Sequence, residues 1–351
     1  MTPDRWGMNM GKRVIITGAT SMLGSALVRR CEAEGDEVYA VLRPESGQIA
    51  NLAGTGAVRV SLALEDWKEH LTEKLRETAG DAPCDILYHF AWNGTYGDSR
   101  RDPAQQQKNV EYTKTAFQAA AELGCSTFVG AGSQAEFGPY DIPLSDALEK
   151  RPVTEYGKAK LAAWQAVLAM AEGVTESGAV QGTAESGAAQ GVTESEAAQR
   201  QTIRVNWGRI LSAYGPGDHT YTLIGSTLRK LMNQEQAAFT KGEQIWDFIH
   251  ADDAARAFSM IGEKGLPGKA YTIGCGEGRS LRTWLEELYT VVHDRYPDTP
   301  EPLFGAVPYF PDQVMHLVAD ISELTKDTGF RPEITFAEGI RRMVEDDNHL
   351  A

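Results

Sequence analysis

Between Gly130 and Lys160 the chain carries three side chains that together can move a proton to or from an oxygen: Ser133, Tyr156 and Lys160. Tyr156 and Lys160 stand four apart in TEYGKAK, which reads as the first turn of a helix, so they share one face. A phenol ionises near pH ~10, too high for proton exchange at neutral pH, but an adjacent ammonium favours the phenolate. Lys160 is expected to be that ammonium. Ser133 ends the strand-like run FVGAGS and presents a hydroxyl there.

Such a trio needs a scaffold, and the N-terminal half reads as one. Arg13 to Thr17 (RVIIT) is an apolar run of the buried parallel-strand type, followed by GATSMLGS and a helical pattern through Cys31. Gly18 and Gly24 allow close backbone approach. The helix start that they flank, Thr20, Ser21, Met22 and Leu23, offers free N–H groups to a pyrophosphate. Ser21 stands where a GxxGxxG pattern has its middle glycine. A second strand, Glu37 to Leu42, ends in Arg43-Pro44. An NAD site wants a carboxylate there for the ribose 2′-hydroxyl, whereas arginine can meet a 2′-phosphate. Arg43 therefore favours NADP(H), with NAD(H) as the alternative.

Further strands are expected at 57–62, 86–91 and 127–131, with helices at 65–78 and 103–123. The loop WNGTYGDSRRD after the fourth strand places Trp92, Asn93 and Tyr96 at the carboxyl end of the sheet, where open α/β folds bind ligands. His89, within that strand, reads as a core histidine. Asn109 lies inside the 103–123 helix, where asparagine adds nothing to helix stability, and reads from propensity alone as a surface residue.

The helix from Thr154 runs to about Met170. GVTESGAVQ, GTAESGAAQ and GVTESEAAQ then follow in tandem from Gly173 to Gln199, too small and polar to bury a core, and are expected to form a flexible surface insertion. Beyond them a strand at 202–211 leads into SAYGPGD. A helix at 222–232, a β-like QIWDFIH, a helix from Ala251, a strand at 269–273 and helices at 281–293, 320–326 and 336–345 complete the pattern.

The fold class is thus α/β, a Rossmann doubly wound parallel sheet with a smaller, mostly C-terminal substrate-binding lobe. Expected boundaries are a leader at 1–11, the dinucleotide-binding domain at 12–171 and 200–212, the insertion at 172–199, and the lobe at 213–351 with 238–262 returning to the first domain.

A net charge of -15 argues against a general nucleic-acid or anionic-membrane surface. Cys31, Cys84, Cys125 and Cys275 show no metal-ligand spacing, so no metal is expected. No signal peptide or long apolar run is visible, and a cytoplasmic setting is expected.

Taken in order, TGATSMLG, HFA, Asn109, SQAEFG, YGKAK, AYGPGD, WDFIHADDAARA and YTIGCGEG resemble an extended short-chain dehydrogenase/reductase of the nucleotide-sugar epimerase, dehydratase and reductase group. The resemblance implies that Tyr156 is the general acid/base, that Lys160 binds the nicotinamide ribose and lowers the tyrosine pKa, and that Ser133 bonds the substrate oxygen. It makes Asn109 a support for proton relay and places Ala91 against the cofactor. Trp92, Asn93, Ser133, Gln134, Ser212 and Tyr214 are the expected substrate contacts, and a homodimer through the helices of Asn109 and Tyr156 follows by analogy.

Departures narrow the chemistry. Where sugar 4,6-dehydratases of this group have an Asp-Glu pair after the catalytic hydroxyl residue, this chain has Gln134-Ala135, which disfavours eliminating water. Trp246 replaces a frequent phosphate-binding arginine, and Ser212 a usual asparagine. The leading expectation is an NADP(H)-dependent reductase or dehydrogenase acting at C4 of a nucleotide-linked deoxysugar. The alternative is a nucleotide-sugar 4-epimerase that retains NAD, and a third reading is a non-catalytic dinucleotide sensor.

Overall fold

The computed structural model describes residues 11–176, 203–311 and 313–345. The leader and the body of the nonapeptide repeats lie outside the described residues. Among the described residues seven parallel strands form the main sheet: β1 (Arg13–Thr17), β2 (Glu37–Leu42), β3 (Val58–Ser61), β4 (Ile86–His89), β5 (Thr127–Ser133), β6 (Arg204–Ile210) and Lys269–Ile273. Their order is 269–273, β6, β5, β4, β1, β2, β3. The chain therefore winds outward in both directions from β1 and β4, whose Thr17 and His89 lie in register. A crevice opens beyond the carboxyl ends of strands at such a reversal.

Side chains alternate along each strand and feed two cores. Val14, Ile16, Ala40 and Tyr88 pack toward α1 (Met22–Ala33) and the helix Ala251–Lys264. Ile15, Tyr39, Leu87 and Phe128 pack toward α2 (Trp67–Ala79), α3 (Pro103–Glu122) and α4 (Glu155–Glu176). Burial on both faces explains why these strands read as continuous apolar runs.

Return to the sheet goes beyond the expected 238–262, because the edge strand is Lys269–Ile273, paired with β6. The stretch QIWDFIH is likewise not one strand. Ile245–Trp246 pairs with Arg279–Ser280 and His316–Leu317, whereas Phe248–His250 pairs with Ser212–Tyr214. Asp247 makes the break: its buried carboxylate accepts N–H groups from Cys275 (2.8 Å), Gly276 (2.9 Å) and Ala319 (3.0 Å). The smaller lobe has its own core, in which Tyr214, Phe248, Trp284 and Phe336 join the helices Leu223–Met232, Leu281–Arg295 and Phe336–Glu345. Among the described residues no helix is long and apolar enough to cross a membrane.

Candidate active site

Gly18 turns the chain out of β1 with φ 68°, in the left-handed region that favours glycine. A side chain there would also press on the backbone of Phe90 and Ala91, only 2.7 Å from an added Cβ. Ser21 caps α1: its Oγ accepts the Gly24 N–H at 3.0 Å and its hydroxyl donates to the Gly18 carbonyl at 2.9 Å. The serine in the middle-glycine position thus braces the turn. Met22 and Leu23 open the helix, where backbone N–H groups lack intrahelical acceptors. Gly24 lies against the Gly18 carbonyl and serves the packing of helix on turn.

A cavity of about 300 Å³ runs from this turn past Thr20, Ser21 and Ala91 to Trp92 and Asn93, with Arg43 exposed at its rim. Cavity, glycine turn and helix start lie together at the sheet's reversal, a donor set that fits the pyrophosphate of a dinucleotide. Among the described residues no group of His, Cys, Asp and Glu could hold a metal ion.

Trp92 joins the cavity to the serine, tyrosine and lysine: it lines the one and touches the other. Its ring meets Tyr156 edge-on, centroids 6.0 Å apart, and the Lys160 ammonium sits 3.7 Å from its centroid. Ser133 and Tyr156 are both buried, and the Ser133 side chain is among the neighbours that favour ionisation of the Tyr156 phenol. The strand end is fixed by Glu136, whose Oε1 accepts from the Ser133 amide (2.8 Å) and the Trp207 indole (3.0 Å) and whose Oε2 accepts from Arg209 Nε (2.7 Å). Arg209 also pairs with Asp146.

Two cations lie near the Tyr156 ring. Burial pushes the Tyr156 phenol up, and the nearest opposing cation is Arg100, whose guanidinium lies 4.2 Å from the ring centroid; the Ser133 side chain also lowers it. Lys160 is 5.9 Å from that centroid, donates to the Ala131 carbonyl at 2.7 Å, and is itself pushed down to about 7 by burial. Arg100 is thus the closer of the two cations to the phenol ring, and Lys160 the farther. His89 is a neutral core residue, held down to about 3 by burial and then by Lys160, with its ring nitrogens 2.8 Å from Thr17 Oγ1 and 3.1 Å from Thr113 Oγ1.

Asn109 is buried, not a surface residue. Its side chain takes both backbone groups of Asn93, so it anchors the loop after β4 and does not reach Ser133 or Tyr156 through any bond seen here. Gln106, one turn earlier, accepts from the Trp92 indole (2.9 Å) and donates to the carbonyls of Gly94 (2.7 Å) and Ser99 (2.9 Å). Gln134 starts the turn after β5 and is partly exposed. Ser212 Oγ accepts from the Trp246 indole at 2.8 Å, tying together the two positions that depart from the family pattern. Tyr214 is corrected from substrate contact to core: it is 1% exposed, packs on His250 and Phe336, and directs its hydroxyl to the Phe336 carbonyl.

Sequence reasoning passed over Arg100, Gln106, Glu136 and Arg209. Gln106 had a signal, since it precedes Asn109 by one helical turn and so shares its face. Arg100 had none beyond its place in a ligand-side loop.

The NAD dependent epimerase/dehydratase family model matches residues 14–181 and 188–274. The chain is 22% identical to CDP-abequose synthase of Salmonella muenchen, over 96% of this chain and 98% of that one. It is 25% identical to dTDP-6-deoxy-L-talose 4-dehydrogenase (NAD(+)) of Aggregatibacter actinomycetemcomitans, over 78% and 88%. Among solved structures it is similar to the UDP-glucose 4-epimerase of Thermus thermophilus in complex with NAD, with TM-score 0.74, 20% identity and coverage of 96% and 98%.

These findings overturn the NADP(H) preference. The family is NAD dependent, and the Thermus structure and others of this fold were solved with NAD. The physical reason is that Arg43 is an exposed rim residue, and a guanidinium there is also compatible with ribose hydroxyls, so its presence does not select a 2′-phosphate. With the sheet reversal, the glycine turn and the matched sequence in agreement, the chain is an enzyme that belongs to the NAD dependent epimerase/dehydratase family.

Proposed function

We propose that the protein is an NAD-dependent 4-epimerase of a nucleotide-linked sugar. The observation that carries the reading is the buried pairing of Ser133, at the carboxyl end of β5, with Tyr156, whose ring Trp92 meets edge-on while lining the cavity. The amides of Met22 and Leu23 and the turn at Gly18 would hold the pyrophosphate, with Thr20, Ser21 and Ala91 along the cavity and Lys160 near the nicotinamide ribose. NAD supplies reversible hydride acceptance from the sugar C4. Tyr156 takes the C4 hydroxyl proton and later returns it, while Ser133 holds the oxygen by a hydrogen bond.

Elimination of water is disfavoured because Gln134 and Ala135 carry no acid and Glu136 is fully engaged by Ser133, Trp207 and Arg209. The likeness to epimerases of this fold supports inversion at C4. The 4-dehydrogenase relative favours a second reading, net NAD(H)-linked oxidation or reduction at C4. Incubation with a UDP-hexose panel, followed by proton NMR and absorbance at 340 nm, separates the two. Inversion without a net change in NADH supports epimerisation, and stoichiometric NADH change supports the dehydrogenase. Tyr156→Phe should lower turnover by about 10²- to 10⁴-fold, and unchanged turnover would remove the acid/base role.

A further inference from the structure

Arg100 ends a single helical turn, Asp98–Arg100, just before the cap of α3. Its guanidinium covers the Tyr156 ring at 4.2 Å from the centroid, and its Nη1 donates to the Thr95 carbonyl at 3.0 Å. Two buried amides on α3 hold the loop that carries it. Asn109 grips Asn93, and Gln106 grips Gly94 and Ser99, the residue before Arg100. A half-buried arginine is thereby aimed at one face of one tyrosine from a loop held at three residues.

We propose that Arg100 is a positioning residue for Tyr156, holding the phenol toward Ser133 and supplying the permanent positive charge under which it ionises. The inference rests on the reading of Tyr156 as the acid/base. A guanidinium cannot lose its proton in a protein, whereas a buried ammonium can. Lys160 sits in such a setting, directed to Ala131 and Trp92. Negative charge on a phenolate spreads into the ring, so a cation over the ring face stabilises the ionised form more than the neutral one. The groups facing Tyr156 are Arg100 from the loop after β4, Ser133 and Glu136 from the end of β5, and Lys160 from its own helix. Glu136 opposes ionisation, but Arg209 is paired with it at 2.7 Å.

The test needs no substrate. Protein labelled with [ζ-¹³C]tyrosine is titrated by NMR, and the signal absent in Tyr156→Phe is assigned to Tyr156. Arg100→Gln, which keeps a donor for Thr95 but loses the charge, should raise the midpoint by about one pH unit, a tenfold change in ionisation. Arg100→Met should do the same, and Arg100→Lys should stay near the parent. Equal midpoints in all four proteins, or a shift in Arg100→Lys as large as in Arg100→Gln, would overturn the proposal. If the shift occurs but Tyr156→Phe keeps full C4 inversion, the proposed function fails and the electrostatic role of Arg100 stands. If Tyr156→Phe is inactive and the midpoints are equal, only the Arg100 inference fails.

Discussion

Asn109 bonds both backbone groups of Asn93, its Oδ1 accepting the amide at 2.9 Å and its Nδ2 donating to the carbonyl at 2.7 Å. A helix side chain thus dictates the path of the ligand-side loop, including Trp92 and, through Gln106, the approach to Arg100. Asn109→Ala should leave the fold intact, with a loss of ~1–3 kcal/mol in urea denaturation. Turnover should fall roughly 10- to 100-fold because the loop loses its register. Equal proportional losses in Asn109→Ala and in a loop-remote helix variant of matched stability would argue against this role.

Glu136 and Arg209 form a buried pair beneath Ser133, 0% and 2% exposed at their side chains. Removing Glu136 leaves the buried Arg209 only its pairing with the partly exposed Asp146. Glu136→Gln should cost about 1–3 kcal/mol, while the double variant Glu136→Leu, Arg209→Met should recover part of that loss. Denaturation of the two variants side by side checks it.

Gly132 faces the Trp207 indole so closely that an added Cβ would overlap it and lie 2.6 Å from Glu136 Oε1. Neither neighbour can yield, since both are buried and bonded to each other. Gly132→Ala should therefore lose ~1–3 kcal/mol, and Trp207→Phe in the same chain should relieve some of the strain. Full stability in Gly132→Ala would show that β5 and β6 can separate at this point.

Lys160 titrates near 7 when folded, below the 10.5 of an unburied lysine. Between those values the unfolded chain binds the proton and the folded chain does not, so this group makes stability rise with pH across the window. Below about 7 the folded protein must carry the buried charge. Lys160→Met should flatten that slope between about pH 7 and 10 and be at least as stable as the parent at about pH 6. An unchanged slope in the variant would mean that the ammonium is as well solvated folded as unfolded.

Much of the fold was legible because a strand buried on both faces is a continuous apolar run, and β1, β2 and Lys269–Ile273 occupy the expected residues. The break at Asp247 was not, since only tertiary contact brings Cys275, Gly276 and Ala319 to its carboxylate. The same limit applies at the site. Tyr156 and Lys160 share a helix face as spacing required, but spacing cannot say that a loop arginine covers the phenol while the lysine turns to Ala131. Tyr214 sits in a turn-rich segment that looks ligand-facing, and only the packing of His250 and Phe336 around it shows that it is core. Arg43 marks the opposite error, a charged strand end given more meaning than its exposure supports.

The most direct measurement takes the purified protein without added dinucleotide, identifies any released cofactor by mass spectrometry, and follows UDP-glucose by proton NMR. The expected result is retained NAD and inversion at C4 with no net change at 340 nm. Turnover that consumes NADH stoichiometrically, or a product lacking the C6 hydroxyl, would contradict 4-epimerisation.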